Sequence, residues 1–166
     1  MLYIVSNKIP TGGPETLHQF AKYLKSLGVE VEMFYCDSAS VEVPEKLKKY
    51  KVPIAKKIVD SNENMMIVPE TFTRYLYQYE KSRKCSVCVS RDVYYGYLSL
   101  EGLVRCAQRQ RISKFLFPIC IPLIYIRHKI TRPYFKFGKD KNEIFHLYNC
   151  EYAREYLVQH GVKEEN

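Results

Sequence analysis

The residues of this 166-residue chain that are equipped for chemistry follow directly after its short apolar segments. Threonines and two adjacent glycines follow the first segment, and acidic, tyrosine, histidine and asparagine side chains follow later ones. Glycine lets backbone N–H groups come close to a bound anion, while a carboxylate or an imidazole accepts a proton from a hydroxyl group. This pattern predicts one binding crevice, and its candidate residues in chain order are Thr11, Gly12, Gly13, Thr16, Glu70, Arg91, Asp92, Tyr94, Tyr95, His146 and Asn149.

A strand–turn–helix–strand pattern at the start of the chain positions the glycines. Leu2 to Val5 form an apolar run that is typical of a buried parallel strand. After the turn, Gly28 is suited to end a helix, and apolar residues precede it at helical spacing at Leu17, Phe20, Ala21, Leu24 and Leu27. The alternating pattern of residues 29–34 predicts a second strand, so the chain opens with a right-handed βαβ unit.

The turn Thr11-Gly12-Gly13-Pro14 contains neither the G-x-G-x-x-G pattern of dinucleotide-binding proteins nor the phosphate loop of P-loop NTPases. The sequence therefore supports neither a nicotinamide cofactor nor ATP. We expect the two glycines to adopt positive φ and Pro14 to occupy the first helical position. A purely structural turn explains the two glycines equally well, whereas a turn at the N-terminus of a helix also suits an anion.

Strand-like and helix-like segments alternate along the rest of the chain. Strands are predicted near 52–59, 65–68, 85–90 and 144–148, and helices over 71–81, 98–110 and 149–161. This alternation predicts a three-layer, Rossmann-like α/β domain with a mostly parallel sheet of about six strands. We expect residues 1–166 to form a single domain, in which the candidate residues meet at the carboxyl ends of the strands.

Residues 97–142 depart from this pattern and form an irregular, basic and apolar insertion. Ten Lys or Arg residues and one acid, Asp140, lie between Arg105 and Lys141, so this segment carries +9 while the whole chain carries +8. Among the cations lies the apolar run 112–126, which is too short to cross a bilayer and is interrupted by two prolines. The run fits either a buried strand or loop beneath the sheet, or an element that faces an anionic membrane.

The membrane interpretation predicts a cytoplasmic protein that is peripheral at the inner face of the membrane, because cations bracket the apolar run. The expected membrane-binding residues are Arg109, Arg111, Lys114, Phe115, Phe117, Arg127, Lys129 and Arg132. Nucleic acid is the weaker alternative partner, since no recognised nucleic-acid-binding motif accompanies the charge. The six cysteines include one C-x-x-C pair, Cys85 and Cys88, and we interpret them as reduced, buried residues rather than metal ligands.

Four segments of the chain carry a resemblance to a known family. Residues 11–31 read TGGPETLHQFAKYLKSLGVEV, residues 67–71 read IVPET, residues 90–96 read SRDVYYG and residues 146–153 read HLYNCEYA. In this order they are similar to a first glycine turn with its helix, the segment after a middle strand, a tyrosine-containing loop, and a late strand running into a helix. The chain thus resembles the N-terminal domain of GT-B glycosyltransferases of bacterial polysaccharide and cell-envelope synthesis.

The resemblance implies the acceptor-side domain of a hexosyltransferase, which transfers a sugar from a nucleotide sugar to a saccharide or lipid-linked acceptor such as a capsule precursor. It places the nucleotide sugar in a C-terminal donor domain or subunit, so we expect this domain to bind no cofactor and to be inactive alone. It offers Glu70, Asp92 or His146 as the proton acceptor, and Tyr94 and Tyr95 as rings that stack on a sugar. Both retaining and inverting chemistry are compatible with these residues.

Simpler interpretations of the same residues exist. Glu70 is also well placed to cap the helix predicted after it, and the tyrosines fit ordinary packing in a chain with 15 of them. A non-catalytic domain that binds a glycan or a partner chain is a further alternative, as is a basic nucleic-acid-binding module.

Overall fold

The computed structural model describes residues 1–36, 42–89, 99–131 and 143–164, which form a three-layer α/β fold. One parallel sheet contains five strands, namely β1 (Leu2–Ser6), β2 (Val31–Tyr35), β3 (Met65–Pro69), β4 (Arg83–Cys88) and β5 (Phe145–Tyr148). The helices of the described residues are α1 (Gly12–Ser26), α2 (Glu45–Lys48), α3 (Tyr75–Gln78), α4 (Leu100–Arg109), α5 (Phe117–Thr131) and α6 (Glu151–Gln159). The predicted fold class is therefore confirmed.

The strand order β2-β1-β3-β4-β5 places the first strand in the interior of the sheet. A single parallel bridge adds Ile54 beyond β2, where Met33 N–H donates to Pro53 O and Ala55 N–H donates to Met33 O, both at 2.8 Å. Counting this bridge as a strand position gives the order 3-2-1-4-5-6 of the doubly wound Rossmann fold. The strand expected near 52–59 is reduced to this bridge, because Pro53 has no N–H with which to extend the ladder.

All five residues of β1 are buried because helices cover both faces of the sheet. Leu2 and Ile4 lie on the face that packs against α1 and α2. Tyr3 and Val5 lie on the opposite face, where α3 and α6 complete the core. Successive side chains of a strand point to opposite faces, so a continuously apolar strand requires both layers of helices.

The segment after β3 forms less helix than the expected 71–81. A 3₁₀ turn spans Glu70–Phe72 and α3 contains only four residues. The chain then turns sharply, since the carboxylate of Asp60 accepts hydrogen bonds from three successive backbone N–H groups, those of Glu80, Lys81 and Ser82. Burial alone would raise the pKa of Asp60, but these hydrogen bonds lower it overall. The helix ends early because this turn must feed β4.

The described part of the basic insertion, residues 99–131, is helical rather than irregular. Ser99 caps α4, and its hydroxyl oxygen accepts a hydrogen bond from Gly102 N–H at 3.0 Å. Leu103 and Ala107 of α4 pack with Ile124 of α5 in a small cluster distinct from the two sheet clusters. The interpretation as a strand or loop beneath the sheet is therefore wrong. Within the described ranges, no helix is long and apolar enough to cross a bilayer.

The six cysteines are free thiols, and both members of the C-x-x-C pair are buried. Cys85 packs in the core between the sheet and α1, and burial raises the pKa of its thiol to about 12. This thiol is therefore protonated at neutral pH and behaves as a small apolar side chain.

A buried histidine fastens α1 to the end of β2. His18 Nδ1 lies 2.7 Å from the carbonyl oxygen of Pro14, and Nε2 lies 2.9 Å from the Tyr35 hydroxyl. Since a carbonyl oxygen only accepts, Nδ1 carries the proton, and Nε2 accepts the hydrogen bond from Tyr35. Burial lowers the pKa of His18, and the hydrogen bond to Pro14 only partly offsets that effect.

This arrangement predicts that acid destabilises the fold through His18. In the unfolded chain the histidine has a pKa of about 6.5, whereas the folded chain keeps it neutral to lower pH. The contribution is therefore fully present above the unfolded pKa and is lost as the pH falls below it. Urea unfolding at neutral and mildly acidic pH should show a smaller acid-induced loss in His18→Phe than in the unmodified chain.

The control is Tyr35→Phe, which removes the hydrogen bond from the hydroxyl but leaves the imidazole buried. This variant should keep the pH dependence of the unmodified chain while losing stability at every pH. An identical pH dependence in His18→Phe and the unmodified chain would show that other groups cause the acid sensitivity.

Candidate functional site

A cavity of about 210 Å³ lies at the carboxyl ends of β1 and β3, next to the start of α1. The strand order reverses at this position, with β2 on one side of β1 and β3 on the other. Open α/β sheets bind their ligands at such a reversal. We call this space the switch cavity; the residues that line it include Ser6, Thr11, Gly13, Glu70, Phe72 and Val89.

Gly12 and Gly13 are the first two residues of α1, so the helix begins two residues earlier than expected and Pro14 occupies its third position. The expectation of positive φ is wrong, because among the described glycines only Gly28 and Gly161 have it. An added Cβ would meet nothing within 4 Å at Gly12 and only a Val89 methyl group at 3.8 Å at Gly13. The glycines are therefore not required by the backbone, and their lack of side chains leaves the first N–H groups of the helix accessible.

Glu70, Val89 and Asn149 form a hydrogen-bonded unit that we call the strand-end clamp. Glu70 is buried, and its carboxylate accepts a hydrogen bond from Val89 N–H at 3.0 Å. On the other side of Val89, its carbonyl oxygen accepts a hydrogen bond from the Asn149 side-chain amide at 2.8 Å. The clamp joins the ends of β3, β4 and β5. Glu70 thus bonds across the sheet, which differs from the helix-capping role considered for it.

A second cavity of about 210 Å³ adjoins the switch cavity and lies between α1 and the ends of β4 and β5. We call it the edge cavity; its lining includes Thr16, Phe20, Leu147 and Asn149, and it shares Leu17 and Val89 with the switch cavity. Thr16 donates its hydroxyl proton to Gly12 O at 2.9 Å, so its oxygen is left as an acceptor. The structure thus gathers Thr11, Gly13, Thr16, Glu70 and Asn149 along one crevice.

His146 lies apart from this crevice. It is the second residue of β5 rather than its last, and it pairs in register with Ser86. Because Cys85 and Val87 face α1, the intervening Ser86 and its partner His146 face the opposite side. There His146 is buried and lines a different cavity beside Leu157 of α6. The expected convergence of all candidate residues is therefore wrong for His146.

Several other expected residues lie outside the described part of the chain. In the predicted crevice these are Arg91, Asp92, Tyr94 and Tyr95, and in the predicted membrane surface Arg132. The remaining membrane candidates are on the α4–α5 hairpin, where Phe115 is almost fully exposed. Phe117, however, is turned toward the cluster of Leu103 and Ile124, because its position on α5 is on the side that packs against α4.

The electrostatics of the crevice are simple. Glu70 provides the one charged side chain among the described residues that line the switch cavity, and the described lining of the edge cavity contains none. The N-terminus of α1 adds the partial positive charge of the helix dipole across the switch cavity from the carboxylate. Hydrogen-bond donors and acceptors thus face each other, as suits a neutral polyol whose hydroxyl groups do both. Within the described ranges, no group of three or more His, Cys, Asp or Glu side chains is placed to hold a metal ion.

Val89 is the residue that the sequence analysis missed. It contributes a methyl group next to Gly13, a donor to Glu70 and an acceptor to Asn149. Its side chain carries no chemical signal, and only its position directly after the last residue of β4 indicates a place at the carboxyl edge. Backbone groups at this edge are therefore as much a part of the site as the polar side chains.

The clamp predicts a sharp difference between two substitutions of Glu70. Glu70→Ala leaves the Val89 N–H without its acceptor and should reduce the free energy of unfolding by about 1–3 kcal/mol. Glu70→Gln keeps a side-chain oxygen at the same reach and should cost less than about 1 kcal/mol. Urea unfolding of both variants tests this prediction. Equal losses in the two variants would mean that the charge, and not the hydrogen bond to Val89, holds the strand ends.

The open space around the glycines predicts that alanine is tolerated. Gly13→Ala should stabilise the fold by about 0.4–1 kcal/mol, because alanine restricts the unfolded chain without strain in the helix. The matched control is Gly28→Ala, which should destabilise the fold, since Gly28 has a φ of 81°. Thermal or urea unfolding of the two variants is the measurement. A loss of stability in Gly13→Ala would instead indicate that the turn requires glycine for its backbone.

Comparisons with known proteins leave the site without a precedent. No protein-family model, no curated protein and no solved structure matches this chain. The resemblance to GT-B glycosyltransferases therefore rests on the residues quoted above.

Proposed function

We propose that this chain is the acceptor-side domain of a GT-B glycosyltransferase and that the crevice binds a saccharide. In this proposal, a hydroxyl group of the acceptor approaches Glu70, and a donor domain or subunit brings the nucleotide sugar. The acceptor is a free saccharide or the sugar of a lipid-linked intermediate in cell-envelope or capsule synthesis. The domain binds its acceptor alone and transfers sugar only with the donor side present, because rate enhancement requires both reactants to be held together.

The observation that carries the proposal is the opposition of Glu70 to the glycine N-terminus of α1 across the switch cavity. A sugar hydroxyl can donate to the carboxylate and accept from an N–H group of Gly12 or Gly13. The adjoining edge cavity offers the Thr16 oxygen and apolar surface from Phe20 and Leu147. Sugar rings present both hydroxyl groups and apolar C–H faces, and this mixture matches the two cavities together.

Each residue of the crevice has a definite role in the proposed reaction. Glu70 accepts the proton of the attacking hydroxyl in an inverting mechanism, or orients that hydroxyl in a retaining one. The Gly12 and Gly13 N–H groups bind an oxygen of the saccharide or of a phosphate attached to it. Asn149 holds Val89, and through it Glu70, at the correct distance; it is a positioning residue. Of the remaining predicted base candidates, Asp92 lies outside the described residues and His146 faces another cavity.

The proposal predicts saccharide binding that depends on the charge of Glu70. Amide NMR spectra of the labelled chain would be recorded during titration with methyl glycosides of glucose, galactose, mannose and N-acetylglucosamine. At least one glycoside should shift the signals of Gly12, Gly13 and Val89. Glu70→Gln should weaken that binding about tenfold or more, the typical effect of losing a charged hydrogen bond, while the fold is kept.

The matched control is Glu63→Gln, which removes an exposed carboxylate outside the crevice and should leave binding unchanged. Shifts confined to other surfaces, or no response to any glycoside, would contradict the proposal. Sugar transfer by the chain alone from a nucleotide sugar would contradict its dependence on a donor domain. Salt-sensitive binding of RNA or DNA without saccharide binding would favour the nucleic-acid alternative.

A further inference from the structure

Helix α5 exposes a continuous apolar face. Ile119, Leu123, Ile126 and Ile130 are between 51% and 73% exposed, and they recur at i, i+4, i+7 and i+11, which places them on one side of a helix. We call these four residues the apolar stripe. Phe115, in the 3₁₀ turn directly before α5, is 94% exposed and extends the stripe. Soluble proteins rarely leave contiguous apolar surface of this kind uncovered.

The opposite side of the same helix has its own partner. Ile124 is buried against Leu103 and Ala107 of α4, and Phe117, Ile121 and Tyr125 pack around them. Core formation therefore explains the inward residues of α5 and leaves the stripe unexplained. A helix that needed only a packing partner in α4 would carry polar residues on its outward side.

The charges beside the stripe have one sign. At about 100° per residue, Arg127 and Lys129 lie roughly 70° and 90° to either side of the midline of the stripe. Lys114 lies at its start, and no acidic residue occurs between Gly102 and Lys139. The aliphatic stems of lysine and arginine can lie along an apolar surface while their charges reach outward. This arrangement complements a surface that is apolar inside and anionic outside.

We infer that the apolar stripe of α5 docks the protein on an anionic lipid membrane. The stripe and Phe115 enter the boundary between headgroups and acyl chains, and Lys114, Arg127 and Lys129 contact the lipid phosphates. The 15 residues of α5 span about 22 Å, less than the hydrocarbon core of about 30 Å, so the helix lies in the plane of the membrane. This inference is independent of the proposed saccharide site.

A second copy of this chain is a poorer occupant. A symmetric dimer through the stripe would bring the same cations of both copies together without a carboxylate from this segment to pair with them. Lysine is also depleted in protein interfaces. Anionic lipid instead supplies the opposite charge along the whole length of the stripe.

The absence of tryptophan from the chain allows a direct test with an introduced reporter. In full-length Phe115→Trp, vesicles of phosphatidylglycerol mixed with phosphatidylcholine should shift the fluorescence to the blue, whereas pure phosphatidylcholine should not. Leu27→Trp places the same reporter on an exposed residue at the end of α1 and should not respond. Added salt should weaken the binding, since exposed charges are screened.

Two sets of substitutions separate the charge from the apolar contribution in vesicle co-sedimentation. Arg127→Gln with Lys129→Gln should weaken binding about twentyfold, and Leu123→Ser with Ile126→Ser should weaken it at least tenfold. Lys56→Gln with Lys57→Gln removes the same charge from another exposed site and should change binding little. The inference fails if the reporter at residue 115 stays silent, if the Lys56 and Lys57 pair matters as much as the Arg127 and Lys129 pair, or if the stripe instead mediates dimers in sedimentation velocity.

Discussion

The burial of β1 is the constraint on which the rest of this structure depends. Every residue of the strand is buried, so its backbone N–H and C=O groups must pair with neighbouring strands and both of its faces must be covered. Two parallel neighbours meet this requirement, since Leu2 aligns with Val31 of β2 and with Met65 of β3. Because the chain winds away from β1 in opposite directions to form these neighbours, the loops at their carboxyl ends diverge and leave the switch cavity between them.

Hydrogen bonds across the strand ends then give this gap its shape. The peptide of Val89 is held on one side by Glu70 and on the other by Asn149, so three strand ends are fixed relative to one another. The same bond keeps the buried Glu70 carboxylate at the cavity, opposite the glycine N-terminus of α1. Stability and binding chemistry therefore share residues in this crevice, as expected where polar groups at a sheet edge must be both satisfied and accessible.

The α4–α5 hairpin follows a different physical rule from the sheet. Its small cluster of Leu103, Ala107 and Ile124 is distinct from the two sheet clusters. With so few inward residues, the hairpin cannot bury a helix that is apolar on all sides, and the stripe remains exposed while cations flank it. The crevice and the stripe are consequently two surfaces with separate origins, one set by strand winding and the other by an excess of apolar residues in a local pair of helices.

The sequence by itself determined the elements and their order, because the apolar run of β1, the helical spacing in α1 and Gly28 are local signals. It also placed Thr11, Gly13 and Glu70 near strand ends, since a strand that is recognised shows where it ends. Only the tertiary structure decided that Val89 connects Glu70 to Asn149, 60 residues further along the chain, and that His146 faces away. Hydrogen-bond partners and the face of a side chain depend on strand register, which is fixed by packing between distant segments.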